Sequence, residues 1–451
     1  MPEASNSENM STQRQRIAML AQQSPQMGFT SLNHLINLQS LHEAYARTRK
    51  DGATGVDGQT APDYEERLEE NLRSLLHRAK TGSYRAPPVK RVYIPKGTNS
   101  SEKRPIGIPT FEDKLLQRAV VMALEPIYEQ DFMDCSYGFR PGRSAHQALQ
   151  ALWQQLMQIG GGWVLDVDIR KFFDTLDHAQ LRALIRRRVR DGALLRLIDK
   201  WLNAGVLEDG VRSYPEAGSP QGGVISPLLS NIFLHYVLDE WFEQVVKPRL
   251  RGRAFLIRYA DDFIMAFACE SDARRVLEVL PKRFSKFGLT IHPEKTRLVR
   301  FVRPPSWVKD KGRPEFQPGT FDFLGFSHYW GFSREACRII KRQTAVSRAR
   351  RAVKAVADWC RRNRHRPIPE QHQALSQKLR GHYAYYGLTG NSRALDSFYF
   401  AVHGLWRKWL SRRSWVSPLS WEQYQQLRER HPFPRPTLPH SWYRSVANPT
   451  T

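Results

Sequence analysis

Two kinds of apolar spacing alternate along the chain and predict a mixture of helices and strands. Helical spacing of apolar residues predicts amphipathic helices at 33–49, 64–79, 111–130, 145–157 and 272–287, with a further helix that ends near residue 245. Alternating, β-branched and aromatic residues predict strands at 84–96, 163–169 and on both sides of a turn within 255–267. Glycine- and proline-rich loops separate these segments.

The last of the strand segments, Phe255–Phe267, is an apolar hairpin interrupted by two adjacent acids, Asp261 and Asp262. Burial of even one unpaired carboxylate costs several kcal/mol, so acids in this position need a compensating partner, and a divalent cation is the obvious one. The alternative is a solvent-exposed Asp-Asp turn, which is a common feature of hairpins. The hairpin alone leaves both interpretations open.

A second acidic strand supplies a further carboxylate for a metal site. In Trp163–Asp174, alternation places Asp166 and Asp168 on one face of a strand whose other residues suit a core. A two-metal nucleotidyl-transfer site needs about three convergent carboxylates, which hold cations about 4 Å apart. One strand aspartate and the Asp261–Asp262 turn make up such a set, although either acidic segment alone could be structural.

Basic and glycine-rich segments could hold a phosphorylated ligand. Two basic strands joined by a flexible loop place Lys96 and Arg104 well for a triphosphate. The same cations could merely discourage edge-to-edge aggregation. In the segment Glu216–Phe233, a Gly-Pro loop lets the backbone and Gln221 approach a ligand closely, whereas a simple helix start would not need two adjacent glycines.

Composition narrows the class of partner. The chain has 451 residues, 41% of them apolar, which is enough for two to four domains with cores of their own. Its 69 Lys and Arg against 44 Asp and Glu give a net charge of +25, which favours a polyanionic partner such as nucleic acid. No run of about 18 apolar residues and no lipidation motif suggests a membrane.

The cysteine spacing argues against a zinc site or a disulfide framework, and the first residues argue against a secretory signal. The four cysteines are scattered without the spacing of a zinc site or a disulfide framework. The first sixteen residues are polar and lack the apolar core of a secretory signal. We therefore expect a disordered lead into a cytoplasmic protein.

Positive charge is concentrated between residues 334 and 413, where nineteen Lys and Arg face four acids. Cations alternate with aromatic residues in the predicted helix 348–366 and in the segment 379–387, a pattern that suits a groove following phosphates while rings stack on bases. A solvated basic helix is the alternative, but such helices normally carry interspersed acids. The pattern favours nucleic-acid binding.

These segments, in this order and spacing, resemble those of the reverse transcriptases of group II introns from about residue 33 to residue 443. The resemblance is carried by Tyr259-Ala-Asp-Asp262, Asp168 with Phe172-Phe173-Asp174, Ser219-Pro-Gln-Gly-Gly-Val-Ile-Ser-Pro227, Arg104-Pro-Ile-Gly-Ile-Pro109, His292-Pro-Glu-Lys-Thr296, Phe323-Leu-Gly-Phe326 and the segment Lys378–Asn391.

The resemblance implies an α+β right-hand polymerase with an antiparallel palm sheet and helices. It implies a disordered lead at 1–28, fingers and palm at 29–330, a helical thumb or maturase (X) domain at 331–414, and a C-terminal appendage at 415–451. The loop at 303–319 is expected to mark the edge of the catalytic core.

The resemblance also implies roles for single residues. Asp168, Asp261 and Asp262 would hold two Mg²⁺ ions, one of which would lower the pKa of the primer 3′-hydroxyl while the other would neutralise the departing pyrophosphate. Asp166 has no matching role. Of the two hairpin acids, Asp261 is the expected direct ligand, and Asp262 would contribute to one metal or to the primer end.

Five further residues would contact the substrate. Lys96 and Arg104 would clamp the triphosphate, and Gln221 would line the nucleotide pocket. Phe173 would pack under the sugar and favour dNTPs over NTPs, and Lys295 is a candidate proton donor to pyrophosphate.

The expected activity is RNA-directed DNA synthesis together with binding of group II intron RNA to assist splicing and retrohoming. The partners would be that RNA as template, a DNA primer or target, and dNTPs, with no membrane, in a bacterial cytoplasm and associated with the nucleoid. The expected nucleic-acid contacts are Arg348, Arg350, Arg351, Lys354, Arg361, Arg362, Lys378, Arg380 and Tyr383.

One departure from the family pattern lies after Trp415, where no paired cysteines or clustered histidines could build the endonuclease domain of larger members. The chain is therefore similar to the compact, endonuclease-lacking, group IIC-like type. Two other functions stay open: a host-domesticated reverse transcriptase used in repair or phage defence, and a non-catalytic cofactor for RNA splicing.

Overall fold

The computed structural model describes residues 3–95, 103–208, 211–213, 222–305, 317–333, 335–413 and 419–440. These residues form two compact units. The N-terminal unit comprises the described residues within 3–94 and 103–298, and the C-terminal unit comprises Pro95 and the described residues from 299 onward. Lys96 and Gln221 lie outside the described residues.

Most of the N-terminal unit is helical. Its helices are α1 (Glu3–Gln23), α2 (Leu38–Arg47), α3 (Ala61–Glu65), α4 (Leu68–Thr81), α5 (Phe111–Asp131), α6 (Ala145–Gln158), α7 (Phe172–Thr175), α8 (His178–Ile185), α9 (Gly192–Leu202), α10 (Ser226–Leu234) and α11 (Glu270–Ser285). Wide π-type turns continue α10 through His235–Asp239 and Trp241–Val246, and short 3-10 turns lie at Asn33–Leu35 and Lys247–Arg249.

The N-terminal unit also contains most of the residues of two four-stranded sheets. Their strands are β1 (Val89–Pro95), β2 (Lys103–Ile108), β3 (Trp163–Val167), β4 (Val206–Glu208), β5 (Val211–Ser213), β6 (Ala254–Tyr259), β7 (Asp262–Phe267) and β8 (Arg297–Arg300). The edge sheet has the order β2-β1-β4-β5 and the central sheet the order β6-β7-β3-β8. The periodicity predictions for the helices and for the strands around Asp168 and Asp261 are confirmed to within a few residues.

The central sheet is buried because its strands carry almost continuous apolar runs. β6, β7 and β3 pair antiparallel, with Val167 opposite Phe263 and Tyr259 opposite Asp262. The helix α6 before this sheet ends in three left-handed glycines, and a Cβ on Gly162 would lie 2.1 Å from the carbonyl oxygen of Phe267. Glycine at this position therefore lets β3 start directly beside β7.

The described part of the N-terminal lead is folded, with a helix at Glu3–Gln23, which corrects the expectation of disorder. Helix α1 packs on α5, and its Ile17 and Ala21 are buried in the main core. Arg14 donates two hydrogen bonds, of 2.9 and 2.7 Å, to the carboxylate of Glu43 on α2. The polar composition of the lead concealed these few anchoring residues, because a docked helix needs only one apolar stripe.

The C-terminal unit combines a small sheet with helices. Its elements are β9 (Phe321–Phe323), β10 (Phe326–Phe332), β11 (Arg338–Thr344), α12 (Val346–Asn363), α13 (Ile368–Tyr386), α14 (Ser392–Leu410) and α15 (Trp421–Arg430). The strands form an antiparallel sheet in the order β11-β10-β9. The expected border at 330/331 therefore falls inside β10, and the region expected to be helical, 331–414, begins with the end of β10 and with β11.

The segment after residue 418 is part of the same helical core. Tyr424 and Phe433 are 1% and 4% exposed and pack in one apolar cluster with Val356, Leu379 and Trp406. The carbonyl oxygen of Gly387 accepts a 3.1 Å hydrogen bond from the amide of His440. Residues 419–440 thus complete the core of α12–α14 and are not a separate appendage.

No helix of the described residues combines the length and the apolar character that a membrane crossing requires. The structure is a mixed α+β fold, as the resemblance implied.

Candidate active site

Three aspartates lie at one end of the central sheet. The hairpin β6–β7 turns at Ala260 and Asp261, and Ala260 has a left-handed backbone with φ of 58°. The pairing of Val167 with Phe263, continued by one residue, sets Asp168 across from Asp262 on the neighbouring strand. Asp261 is half-buried and Asp262 is exposed.

The electrostatic surroundings of Asp261 bring in two other predicted site residues. Burial raises the pKa of Asp261, and the negative charge of Asp168 raises it further. Its own backbone amide and the guanidinium of Arg104 act in the opposite direction. The structure therefore places Arg104 and Asp168 within electrostatic range of Asp261.

Lys295 joins this group through backbone pairing. Ile169, which follows Asp168, forms an antiparallel bridge with Ile291, and the amide of His292 donates a 2.8 Å hydrogen bond to the carbonyl oxygen of Asp168. Three residues later, Lys295 Nζ lies 3.2 Å from Asp168 Oδ2. The ammonium group of Lys295 thus forms an ion pair with this carboxylate.

Asp166 has a different partner. Its Oδ2 lies 3.2 Å from Arg297 Nη2. Asp166 on β3 and Asp168 directly after it thus form ion pairs with different cations, Arg297 and Lys295.

Behind the hairpin, Arg258 forms a buried network that the sequence analysis did not identify. It has no exposed surface and donates hydrogen bonds to both carboxylate oxygens of Asp239 at 2.8 and 2.5 Å, to Asn231 Oδ1 at 2.8 Å and to Ser136 Oγ at 2.8 Å. Its Nη1 also donates to the carbonyl oxygen of Ala260 at 3.1 Å. An arginine inside an apolar strand run was the available signal, because a buried cation requires a buried acid.

The loop after α5 closes against the same turn. A Cβ on Gly138 would lie 2.4 Å from the amide nitrogen of Ala260, so only glycine permits this approach. Asn231 Nδ2 donates a 2.7 Å hydrogen bond to the carbonyl oxygen of Gly138. The turn that carries Asp261 is therefore held from one side by the Arg258 network and from the other by this loop.

The remaining described residues of the predicted substrate pocket lie on neighbouring elements. Arg104 is exposed on β2, and Phe173 is half-buried on α7 with its ring 5.3 Å from that of Phe172. A Cβ on Gly222 would lie 2.3 Å from the carbonyl oxygen of Gly107, which brings the end of the Gly-Pro loop against β2.

Asp168 and Asp261 are the carboxylates at the end of the central sheet that could bind a metal ion. Among the described residues, no group of three or more His, Cys, Asp or Glu side chains is positioned to hold a metal ion. The donor chemistry nevertheless fits, since carboxylate oxygens are the ligands that Mg²⁺ prefers. Asp168 already binds the ammonium of Lys295, and its negative charge raises the pKa of Asp261. A cation between these carboxylates would relieve that repulsion.

The predicted nucleic-acid contacts lie on α12 and α13 of the C-terminal unit. Arg348, Arg350, Arg361 and Arg362 are exposed, as are Lys378 and Arg380, whereas Arg351 and Lys354 are half-buried. The C-terminal unit thus presents exposed cations along both helices.

The prediction that Tyr383 contacts nucleic acid is wrong for this structure. It is 2% exposed and packs in the core with Leu375 and Leu379, which precede it by eight and four residues on the same face of α13. The helical spacing of these three residues turns the tyrosine inward, so its ring is not available to a nucleobase in this structure.

Comparisons with known proteins identify the family of the chain. Residues 94–328 match the family model described as reverse transcriptase (RNA-dependent DNA polymerase). Protein YkfC of Escherichia coli K12 is 35% identical over 280 residues, which cover 54% of this chain and 71% of the relative.

Two intron-related proteins are also similar. The group II intron-encoded protein LtrA of Lactococcus lactis subsp. cremoris is 34% identical over 304 residues, which cover 64% of this chain and 50% of the relative. Nuclear intron maturase 2 of Arabidopsis mitochondria is 31% identical over 231 residues, which cover 43% of this chain and 30% of the relative. The chain thus spans most of the first relative and half of the second, and it belongs to the reverse transcriptase (RNA-dependent DNA polymerase) family.

Proposed function

We propose that the protein is an RNA-directed DNA polymerase that copies RNA into DNA by two-metal nucleotidyl transfer. The observation that carries the proposal is the meeting of Asp168, Asp261, Lys295 and Arg104 at one end of the central sheet. Two acids and two cations in this arrangement match a reaction in which a triphosphate is held beside metal-binding carboxylates. A purely structural ion pair would not require the second acid at the turn.

In this proposal, Asp168, Asp261 and Asp262 hold two Mg²⁺ ions. When bound, the ions would lower the pKa of the primer 3′-hydroxyl and neutralise charge on the departing pyrophosphate. The Arg258 network and the left-handed turn at Ala260 keep Asp261 in place while substrates exchange.

The cations and Phe173 act on the incoming nucleotide. Arg104 and Lys96 hold the triphosphate, Gln221 lines the nucleotide pocket, and Lys295 moves from Asp168 to donate a proton to pyrophosphate. Phe173 packs under the sugar, where an added 2′-hydroxyl would clash with its ring.

We further propose that the C-terminal unit acts as the thumb and binds group II intron RNA to assist splicing and retrohoming. The exposed cations of α12 and α13 support this role, because neutralised phosphates supply most of the affinity of such surfaces. The names of two relatives, a group II intron-encoded protein and an intron maturase, support an intron RNA as the partner.

Primer extension on an RNA template tests the polymerase. The wild-type chain with Mg²⁺ and dNTPs should extend a DNA primer, and Asp261→Ala should abolish extension by a factor of roughly 10³ or more, because a metal ligand is removed. RNA affinity and splicing assistance should stay largely intact in the same variant. Equal loss of extension and RNA binding in a folded variant would contradict the separation of roles.

Primer extension and RNA binding by the wild-type chain also distinguish the proposed function from the two alternative functions. RNA binding and splicing assistance without any DNA synthesis would indicate a non-catalytic splicing cofactor. DNA synthesis without affinity for the intron RNA would indicate a domesticated reverse transcriptase of the kind used in repair or phage defence.

The sugar role of Phe173 needs a separate measurement. Phe173→Ala should raise incorporation of NTPs relative to dNTPs by about 10-fold or more, since the discrimination depends on a clash with one hydroxyl group. Unchanged discrimination, with extension by dNTPs retained, would refute the role. The ratio of kcat/KM values for a dNTP and its NTP is the quantity to compare.

A further inference from the structure

Phe139 is a large apolar side chain that the protein leaves in solvent. It is 61% exposed, although it lies in the loop between α5 and α6 whose neighbours Gly138 and Arg140 are both buried. Its backbone is left-handed, with φ of 56°. This conformation is unfavourable for a bulky residue, and strained positions of this kind concentrate at functional sites.

The loop holds this conformation rigidly. The Arg140 side chain is 4% exposed and forms an ion pair with Glu129 at 3.0 Å, while its Nη1 donates to the carbonyl oxygens of Met133 and Ser136 at 2.8 and 2.9 Å. Gly138 is fixed on the other side of Phe139 by its contact with the hairpin turn. The ring is therefore presented by a rigid backbone and does not belong to a loose surface loop.

The ring lies beside the carboxylate end of the central sheet. Its centroid is 6.2 Å from that of Tyr259, with the ring planes tilted by 43°. Tyr259 is two residues before Asp261 on the strand that leads into the turn. An exposed aromatic face is thus tied to the position where, under the proposed function, the nucleic acid reacts.

The kind of ligand follows from this placement. An apolar ring without a hydrogen-bonding group recognises a flat face, and every nucleobase offers one, so stacking works whatever the base. A protein partner covering Phe139 would also cover the turn that carries Asp261, and would thereby block the site. A base of the nucleic acid that enters the site does not create this conflict.

We propose that Phe139 is a stacking platform for a nucleobase at the reacting end of the primer–template. The inference rests on the proposed polymerase function and deepens it by naming a binding residue. Stacking on this ring fixes the end of the duplex against the turn, so loss of the ring weakens binding of the duplex end and raises its KM more than it lowers kcat.

The left-handed backbone makes a clean test possible. Phe139→Asn removes the ring and tolerates positive φ, so it should leave the melting temperature unchanged or raise it. Phe139→Tyr keeps the ring. Val279→Asn, at a 42% exposed position on α11, is a matched control for loss of an exposed apolar side chain.

Affinity for a DNA primer annealed to RNA is measured by fluorescence anisotropy, without any chemistry. Phe139→Asn should weaken binding by about 10-fold, while Phe139→Tyr and Val279→Asn should stay within about 2-fold of wild type. In addition, 2-aminopurine at the primer terminus or at the templating position should be quenched by the wild type and less quenched by Phe139→Asn.

Two outcomes would overturn the proposal. One is unchanged affinity and quenching in Phe139→Asn. The other is an equal loss in Phe139→Asn and Phe139→Tyr with a lowered melting temperature, which indicates a structural role. Failure of the proposed polymerase function is distinguishable, because it would abolish primer extension by the wild type and leave these binding measurements readable.

Discussion

At the scale of single residues, the buried Arg258–Asp239 pair connects the core with the candidate active site. Both side chains have no exposed area, and Arg258 also donates to the carbonyl oxygen of Ala260, directly before Asp261. Buried ion pairs seldom add net stability over an apolar pair, but removal of one partner leaves an uncompensated charge. The value of this pair thus lies in positioning the turn.

Arg258→Met should destabilise the protein by about 3–5 kcal/mol, because Asp239 is left buried without its cation. The double variant Arg258→Met/Asp239→Leu should recover a large part of that loss. Chemical denaturation gives both free energies of unfolding. Strictly additive effects of Arg258→Met and Asp239→Leu would contradict the coupling.

The double variant also tests whether Arg258 positions the turn that carries Asp261. If it regains stability, its primer extension should still be reduced, since the donor to the Ala260 carbonyl is absent. Full activity in the stable double variant would show that the turn holds Asp261 without Arg258.

At the scale of elements, the loop after α5 and the β6–β7 hairpin act as one assembly. The amide of Tyr137 donates a 2.9 Å hydrogen bond to the carbonyl oxygen of Arg258. The amide of Arg258 donates a 2.8 Å hydrogen bond to the carbonyl oxygen of Cys135. Gly138 then approaches the turn so closely that no Cβ fits. The shape of the turn therefore depends on a loop that is distant in sequence.

Gly138→Ala should displace the turn, since the added Cβ would meet the backbone of Ala260 at 2.4 Å and that of Tyr259 at 2.9 Å. We expect loss of primer extension by roughly 10²-fold, the size of effect that a displacement of about 1 Å can cause. Gly404→Ala on α14 is the control, because its Cβ would have no atom within 4 Å. That variant should keep its activity and gain up to about 1 kcal/mol of stability.

The basic helices of the C-terminal unit give a second prediction at this scale. Substituting several of the cations with glutamine should weaken RNA affinity and flatten its dependence on salt, because fewer counterions are released. The cations to combine are Arg348, Arg350, Arg351, Lys354, Arg361 and Arg362. Affinity measured across a range of salt concentrations supplies the slope, and a slope equal to that of wild type would contradict the assignment.

Tyr383→Phe is the matched variant on α13. Since Tyr383 is buried in the core, the loss of its hydroxyl should change RNA affinity by less than about 2-fold. A large loss of affinity with unchanged stability would show that the ring reaches RNA after all.

At the scale of the whole molecule, buried histidines make the stability of the C-terminal unit sensitive to acid. Burial lowers the pKa of His328 to about 3 and of His382 and His403 to about 4, from the ordinary value of 6.5. Nearby arginines, Arg342 for His328 and Arg428 for His403, act in the same direction. Between these values and 6.5, the unfolded chain binds more protons than the folded chain.

The stability of this unit should therefore be complete above about pH 6.5 and should fall as the pH decreases toward 4. The slope is up to about 1.4 kcal/mol per pH unit for a fully buried histidine such as His328. Denaturation of the full chain, followed by fluorescence of the tryptophans near α14, measures it. His403→Gln should reduce the slope, and a slope unaffected by this change would contradict the contribution of His403.

Sequence alone determined much of the local structure of this protein and its family. Alternation identified β3 and apolar, aromatic-rich runs identified β6 and β7, and Asp168, Asp261 and Asp262 could be named because charge at the end of an apolar strand needs a reason. Spacing of the motifs also identified the family. These features are local, so the order of residues is sufficient to reveal them.

Tertiary structure alone decided which distant groups meet. The ion pair of Lys295 with Asp168 depends on a bridge between Ile169 and Ile291, the network of Arg258 depends on Asp239, and Tyr383 points inward because α13 packs on α14. The direction of a helix face and the partner of a buried charge are set by packing between elements. Such packing has no signature in the spacing of residues along one element.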